Sequence, residues 1–189
     1  MERCHWCTQD PLYIQYHDTE WGVPSFHAPH LFEKLILEGF QAGLSWFTIL
    51  RKREHFRAVL HRFNPERLAA LTDADLQALM QDPGIVRNRL KLQATRRNAQ
   101  AWLQLNDPVD LIWSVVNHTP IIHHYDHHNQ IPATSVQGDA LCKHLRKAGF
   151  TFVGPTICHA YLQGIGAFMD HTTRCHRHAV LSGRAHTPE

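Results

Sequence analysis

The chain has 189 residues, 43% of them hydrophobic and 19% charged, with a net charge of +2 and a pI of about 8.4. That length buries one core without disulfide staples, and no apolar run approaches the ~18 residues a membrane span needs, so a disulfide scaffold and a membrane-spanning protein are excluded. The polar start Met1-Glu-Arg-Cys4 leads into no apolar stretch, so a cytoplasmic protein with its five cysteines reduced is expected.

Residues 3–24 carry Cys4, His5, Trp6, Cys7, Tyr13, Tyr16, His17, Asp18 and Trp21 without periodicity, which predicts a loop rich in potential ligands. Pro29 at a first-turn position, followed by Leu31, Phe32, Leu35 and Ile36, predicts an amphipathic helix to about Glu38. Gly39 and Gly43 predict a turn and Ser45 a helix cap; the spacing of Trp46, Ile49, Leu50, Phe56, Val59, Leu60 and Phe63 predicts a helix reaching Asn64-Pro65. A short helix follows to Leu71, and Thr72-Asp-Ala-Asp75 opens another with Leu76, Leu79 and Met80 on one side. Asp82-Pro-Gly-Ile-Val86 breaks the pattern, and helical spacing resumes from Asn88 to Leu105. Pro108 starts a helix containing Leu111, Ile112, Val115 and Val116, and residues 118–134 read as a polar loop with five histidines. Residues 139–148 form a basic amphipathic helix closed by Gly149, and residues 156–168 the last strong helix. The chain beyond His178 reads as a flexible tail, 179–189, behind a single domain, 1–178. No segment alternates as a strand does, so the fold class is all-α.

One carboxylate lies among hydrophobes in residues 35–46. Glu38 comes one turn after Lys34 and directly after Leu35, Ile36 and Leu37, where a helix turns to its core. A carboxylate there needs a partner. With Trp46 as a flat wall and glycines that permit close approach, the stretch can hold a flat heterocycle bearing an amine or a positive charge. The competing reading is a carboxylate that caps backbone amides beside an ordinary core tryptophan.

The turn at Pro83-Gly84, leading to Arg87, Arg89 and Lys91, suits a phosphate. Amides at a helix N-terminus hold one without sequence preference, and the basic side chains add charge. Basic residues also gather at Arg51, Lys52, Arg53, Arg57 and Arg62, at Arg96 and Arg97, and at Lys143, Arg146 and Lys147; any one run is equally a solvated helix face. His171 and Cys175 stand one helical turn apart, and Cys4 with His17 completes a Cys2His2 set sufficient for tetrahedral zinc. Cys7 is an alternative to His17, and His176 or His178 are further candidates. The tract His118, His123, His124, His127, His128 reads as a solvated loop in preference to a second metal site.

Met1-Glu-Arg-Cys4, Asp10-Pro-Leu-Tyr-Ile14, Tyr16-His-Asp18, Glu20-Trp-Gly-Val-Pro24, Leu37-Glu-Gly39, Gln41-Ala-Gly-Leu-Ser-Trp46, Gly84-Ile85, Trp113-Ser114, Asn117-His118, Gly149-Phe150, Phe152-Val-Gly154 and Asp170-His171 together resemble the 3-methyladenine DNA glycosylase I family, in register from residue 1 to about 175. The resemblance implies a helix-hairpin-helix DNA glycosylase fold, with zinc at Cys4, His17, His171 and Cys175 tying the two ends of the chain. It implies a base pocket of Tyr16, Glu38 and Trp46. Double-stranded DNA with alkylated bases is the expected partner, met by a monomer through Gly84, Ile85, Arg87 and Lys91, with Leu44 as the wedge. Three departures stand out. His159 replaces an expected aromatic hydroxyl, Val136-Gln-Gly138 replaces a serine-rich approach to a helix, and Cys7 is extra.

Adenine methylated at N3 is cationic on deoxyribose and leaves as a neutral base, so its departure requires no strong general acid. Glu38, the one catalytic candidate, is then expected to select the cation first and to affect rate second, while Trp46 stacks and Tyr16 offers its hydroxyl. Water is the expected nucleophile, and with no lysine marked as a Schiff-base former the reaction ends at a free base and an abasic site. The competing class is a zinc-stapled helical module that binds damaged DNA without cutting.

Overall fold

The computed structural model describes residues 1–183. Its order follows from where caps and prolines fall. Asp10 accepts from the Leu12 amide and Pro11 fills the first turn, starting α1 (Pro11–Thr19). This segment was expected to be a loop. Its helical face is made of Tyr13, Tyr16 and His17 and packs among aromatic rings, so no aliphatic periodicity marks it.

The central helix is α2 (Ala28–Gln41), buried nearly all round by Leu31, Phe32, Lys34, Leu35, Ile36, Leu37, Glu38 and Phe40. It runs through Gly39, three residues beyond its expected end, and the turn falls at residues 42–45. Ser45 then accepts from the Thr48 amide and starts α3 (Trp46–Val59). Instead of continuing to Asn64, the chain turns through left-handed conformations at His61, Arg62 and Phe63, which carry Phe63 into the core. Asn64 caps α4 (Pro65–Ala69), and Thr72 with Asp75 forms a reciprocal capping box on α5 (Asp73–Leu79).

After a turn, α6 (Arg89–Leu103) packs on α4 and α5, capped by Asn88. The remaining helices are α7 (Pro108–Trp113), α8 (Val136–Lys147), α9 (Pro155–Gly164) and α10 (His176–Ser182). α8 begins three residues earlier than its hydrophobic pattern indicates because Ser135 caps it. Around α2 lie α3, α6, α7 and α9.

The chain is mostly helical, as expected, with one short strand pair that the sequence did not show. α9 stops at Gly164, and β2 (Phe168–Met169) pairs in parallel with β1 (Ile121–Ile122) in the histidine-bearing loop. Two-residue strands are too short to alternate visibly. Gly166, at φ +74°, permits the break: a Cβ there would come within 2.2 Å of the Val23 backbone, so the N-terminal segment passes directly over it. The expected tail is also corrected, since α10 extends to Ser182 and buries His178 and Leu181; residues 184–189 lie outside the described residues. Among the described residues no helix is long and apolar enough to cross a membrane.

Lys91 overturns its expected place on a phosphate. It is buried, and its ammonium donates to the carbonyls of Phe40 (2.8 Å) and Ala42 (2.6 Å), closing the C-terminal end of α2. A cation at a helix C-terminus satisfies orphan carbonyls and the helix dipole together. Lys91→Met is therefore expected to destabilise the fold by about 1–3 kcal/mol, the cost of leaving these carbonyls unpaired, as measured by urea denaturation.

Candidate active site and metal centre

A cavity of about 320 Å³ opens beside the end of α2. The N-terminal segment contributes Trp6, Tyr13, Tyr16 and Trp21. The α2–α3 corner adds Glu38, Gln41 and Trp46, α9 adds Ala160 and Gln163, and the loop before α8 adds His128 and Ile131. The three residues expected to form a base pocket, Tyr16, Glu38 and Trp46, thus line one space.

Glu38 is only 4% exposed. Its Oε1 lies 3.4 Å from Lys34 Nζ, whereas its Oε2 is buried without a hydrogen-bond partner. The indole Nε1 of Trp46 is likewise buried and unpartnered. A free acceptor and a free donor beside one cavity are what a polar, flat ligand would satisfy. Burial pushes the Glu38 carboxyl above its ordinary value, opposed by the charge of Lys34. Burial pulls Lys34 down to about 8, opposed first by Glu38. The Tyr16 hydroxyl is pushed well up, by burial and then by the nearby Glu38 charge, so it stays protonated.

Behind this wall the two ends of the chain meet. One ligand atom each from Cys4, His17, His171 and Cys175 lies within 4.8 Å of the others, and all four residues are buried. His171 Nδ1 is 3.4 Å from Cys4 Sγ and 3.5 Å from Cys175 Sγ, and His17 Nε2 is 3.5 Å from Cys175 Sγ. Tetrahedral zinc with ordinary Zn–S and Zn–N bonds sets neighbouring S and N atoms about 3.5 Å apart. The outer partners match as well. His17 Nδ1 lies 2.7 Å from Asp18, which Arg3 also holds, and His171 Nε2 donates to the Trp21 carbonyl at 2.9 Å, so each ring turns its other nitrogen inward. Two thiolates this close repel each other without a cation. Cys175 is held low by a hydrogen bond from the Cys4 thiol, and the same bond with burial pushes Cys4 up. Cys7 is not in the set; its sulfur faces the carbonyls of Thr8 and Tyr13.

With this geometry in hand, residues 6–178 match the methyladenine glycosylase family. The chain belongs to that family. It is 50% identical to DNA-3-methyladenine glycosylase 1 of Escherichia coli (strain K12), over 93% of this chain and 96% of the relative. A crystal structure of 3-methyladenine DNA glycosylase I superposes with a TM-score of 0.91 at 47% identity, covering 93% of this chain and 98% of that one. The Staphylococcus aureus 3-methyladenine DNA glycosylase I, whose structure concerns 3-methyladenine recognition, superposes with 0.89 at 36% identity, covering 93% and 96%.

Elsewhere the methyladenine glycosylase chain departs from its sequence-based reading. Ile85 is buried in the core, which removes its side chain from the surface where a DNA contact was expected, and the Gly84 amide already donates to Asp82 Oδ1 at 2.7 Å. Lys52 donates to the carbonyls of Pro83 and Gly84, bracing the turn from α3. Arg87 and Leu44 are exposed as expected. The histidine tract is partly built in: His123 bonds the buried Asp170, His124 meets His178, and His128 stacks on His5. His159 bonds Ser135 through Nδ1. Sequence reasoning missed Gln163 at the pocket and Lys34 behind it; for Lys34 the signal was its i, i+4 spacing to Glu38.

Replacing both charges in Lys34→Met/Glu38→Leu is expected to stabilise the fold by about 1–3 kcal/mol, since buried ion pairs generally repay their desolvation poorly. The same variant should lose ligand binding at the cavity. Urea denaturation beside a binding titration checks both outcomes.

Proposed function

We propose that this chain removes 3-methyladenine from alkylated double-stranded DNA, turning the base out of the helix into the cavity and hydrolysing its glycosidic bond with water. As a DNA-3-methyladenine glycosylase it releases the free base. The observation that carries the reading is the buried Glu38 carboxylate with one unpartnered oxygen beside the Trp46 indole. The methylated base brings a positive charge and an amine to that oxygen and a flat face to the indole, a stacking contact of ~1–3 kcal/mol. Normal adenine brings no charge.

Because the leaving base becomes neutral as the bond breaks, no side chain has to protonate it. Glu38 selects and holds the cation, Tyr16 and Trp46 fix its plane, and burial excludes competing water from the base edge. The reaction stops at an abasic site. The segment from α5 through residues 80–88 to α6 acts as a helix-hairpin-helix element on the phosphate backbone, with Gly84 and the Ile85 backbone at the turn and Arg87 as its charged side chain, and Leu44 is the wedge that fills the stack. The enzyme works as a monomer in the cytoplasm.

The Cys2His2 set fits one structural zinc. Its four positions are all taken by protein, which leaves none for a reacting water. When bound, the ion would hold Cys4 and His17 to His171 and Cys175, and thereby the aromatic wall to the rest of the fold. Metal analysis of protein purified without chelator is expected to find one zinc per chain, and its removal to lower the melting temperature.

Release of free base from methylated DNA separates an enzyme from a binding module. In Glu38→Gln, affinity for 3-methyladenine is expected to fall by roughly 1.5–3 kcal/mol, the difference a charged acceptor makes to the bond from the base amine. Equal affinity of variant and wild type for 3-methyladenine would show Glu38 to be structural.

A further inference from the structure

Tyr16, Glu38 and Trp46 face the cavity, but one residue behind them touches all three. Lys34 Nζ lies 2.6 Å from the Tyr16 hydroxyl, 3.4 Å from Glu38 Oε1 and 3.4 Å from the centroid of the Trp46 ring. It is buried, on the turn of α2 preceding Glu38. Gly164 of α9 makes its space: a Cβ there would stand 2.4 Å from Lys34 Cε and 2.9 Å from Nζ. Burial lowers the ammonium only to about 8, so it keeps its charge at neutral pH.

An ammonium has hydrogens to give and no lone pair to accept with. The Tyr16 oxygen must therefore accept from Lys34, and its own hydrogen is left for another acceptor. In the same way one Glu38 oxygen is engaged by Lys34 and the other remains an acceptor. Without Lys34 the hydroxyl would be a free rotor, able to donate or to accept.

We propose that Lys34 is a positioning residue that fixes the hydrogen-bond polarity of the pocket, making Tyr16 a donor beside the acceptor Glu38. The pair then reads a ring nitrogen next to an exocyclic amine. Adenine presents that order on either edge of its amine; a 6-oxo purine presents a carbonyl where Glu38 requires a hydrogen. The inference rests on the base-pocket reading above and adds the residue that sets its selectivity.

The test is equilibrium binding of 3-methyladenine and its 1-deaza and 7-deaza analogues to wild type, Lys34→Met, Tyr16→Phe and the double variant. Each analogue lacks one ring-nitrogen acceptor beside the amine. Wild type is expected to bind one of the two about tenfold more weakly than 3-methyladenine, the effect of one lost hydrogen bond. Tyr16→Phe should erase that preference, Lys34→Met should reduce it because the freed hydroxyl no longer points one way, and the double variant should lose nothing beyond Tyr16→Phe. A bystander lysine would leave the preference intact in Lys34→Met, or its loss would add to that of Tyr16→Phe; either result overturns the inference, as does a wild type that binds all three bases equally. If Lys34→Met fails to fold, Lys34→Gln takes its place, because an amide can accept from Tyr16 as well as donate to it: a reduced preference supports the inference and an intact one overturns it, as does a preference that survives Tyr16→Phe. A wild type that binds none of the three overturns the pocket itself and the inference with it.

Discussion

A carboxylate almost wholly removed from water, with one oxygen left unpaired, is the constraint around which this fold is arranged. Burying such a charge costs several kcal/mol unless neighbours replace the lost hydration. Here the replacement is partial. Lys34 sits one turn earlier on the same helix, so helical geometry alone brings the two charges together, and Gly164 leaves the space that the lysine chain fills. α2 can carry both groups on buried positions because α3, α6, α7 and α9 surround it and supply the apolar contact that offsets the strain. What remains uncompensated lies at the cavity, where Glu38 Oε2 and Trp46 Nε1 find no partner within the chain.

The other half of the cavity hangs on the joined ends of the chain. Trp6 packs 5.1 Å from the His17 ring, Trp21 4.7 Å from that of His171, and the Trp21 carbonyl receives the hydrogen of His171 Nε2. The Cys/His cluster thus fixes the aromatic wall by direct contact and stays clear of the cavity. Gly166, by letting residues 23–24 pass over the end of α9, brings that wall against Gln163, whose amide is held by the buried Asp170. A carboxylate only accepts, so the Gln163 NH2 must face Asp170 and its carbonyl oxygen is turned elsewhere.

The parts legible in the sequence were those with local rules. Ser45, Thr72–Asp75 and Asn88 announce helix starts through side chains that reach their own backbone, and Glu38 stands out as a charge at a core-facing position. The Cys2His2 set was legible from residue type and from the family resemblance, but the helical turn expected to present His171 and Cys175 together is absent: residues 171–175 form a non-helical turn that ends at Cys175, the N-cap of α10. What stayed hidden depends on long-range contact. Nothing local tells that Lys91 points inward to the end of α2 while Arg87, four residues earlier, stays in water. α1 has no aliphatic stripe to betray it, and the two-residue strands exist only because residues 121–122 and 168–169 meet.

The same distinction governs the basic runs. Counted along the sequence they suggest cationic faces, yet many of these side chains are engaged by neighbours within the chain. Arg53 pairs with Glu20, Arg57 with Glu33 and Glu54, and Arg96 with Asp73, while Arg97 and Arg146 donate to backbone carbonyls of Gly149 and Val153. The carboxylate pairs contribute little stability on a surface, but each offsets a charge otherwise offered to a polyanion, while the carbonyl bonds of Arg97 and Arg146 hold the guanidinium in place without cancelling its charge. Arg87 and Arg89, exposed beside the turn between α5 and α6, are in a different position. With Lys91 withdrawn to hold α2 and the Gly84 amide taken by Asp82, what this turn presents to solvent is the charge of two arginines. Each phosphate neutralised contributes about 0.9 to the slope of affinity against salt, so the contact with DNA proposed for this turn would carry a slope of about two and not the larger value that the count of basic residues implies.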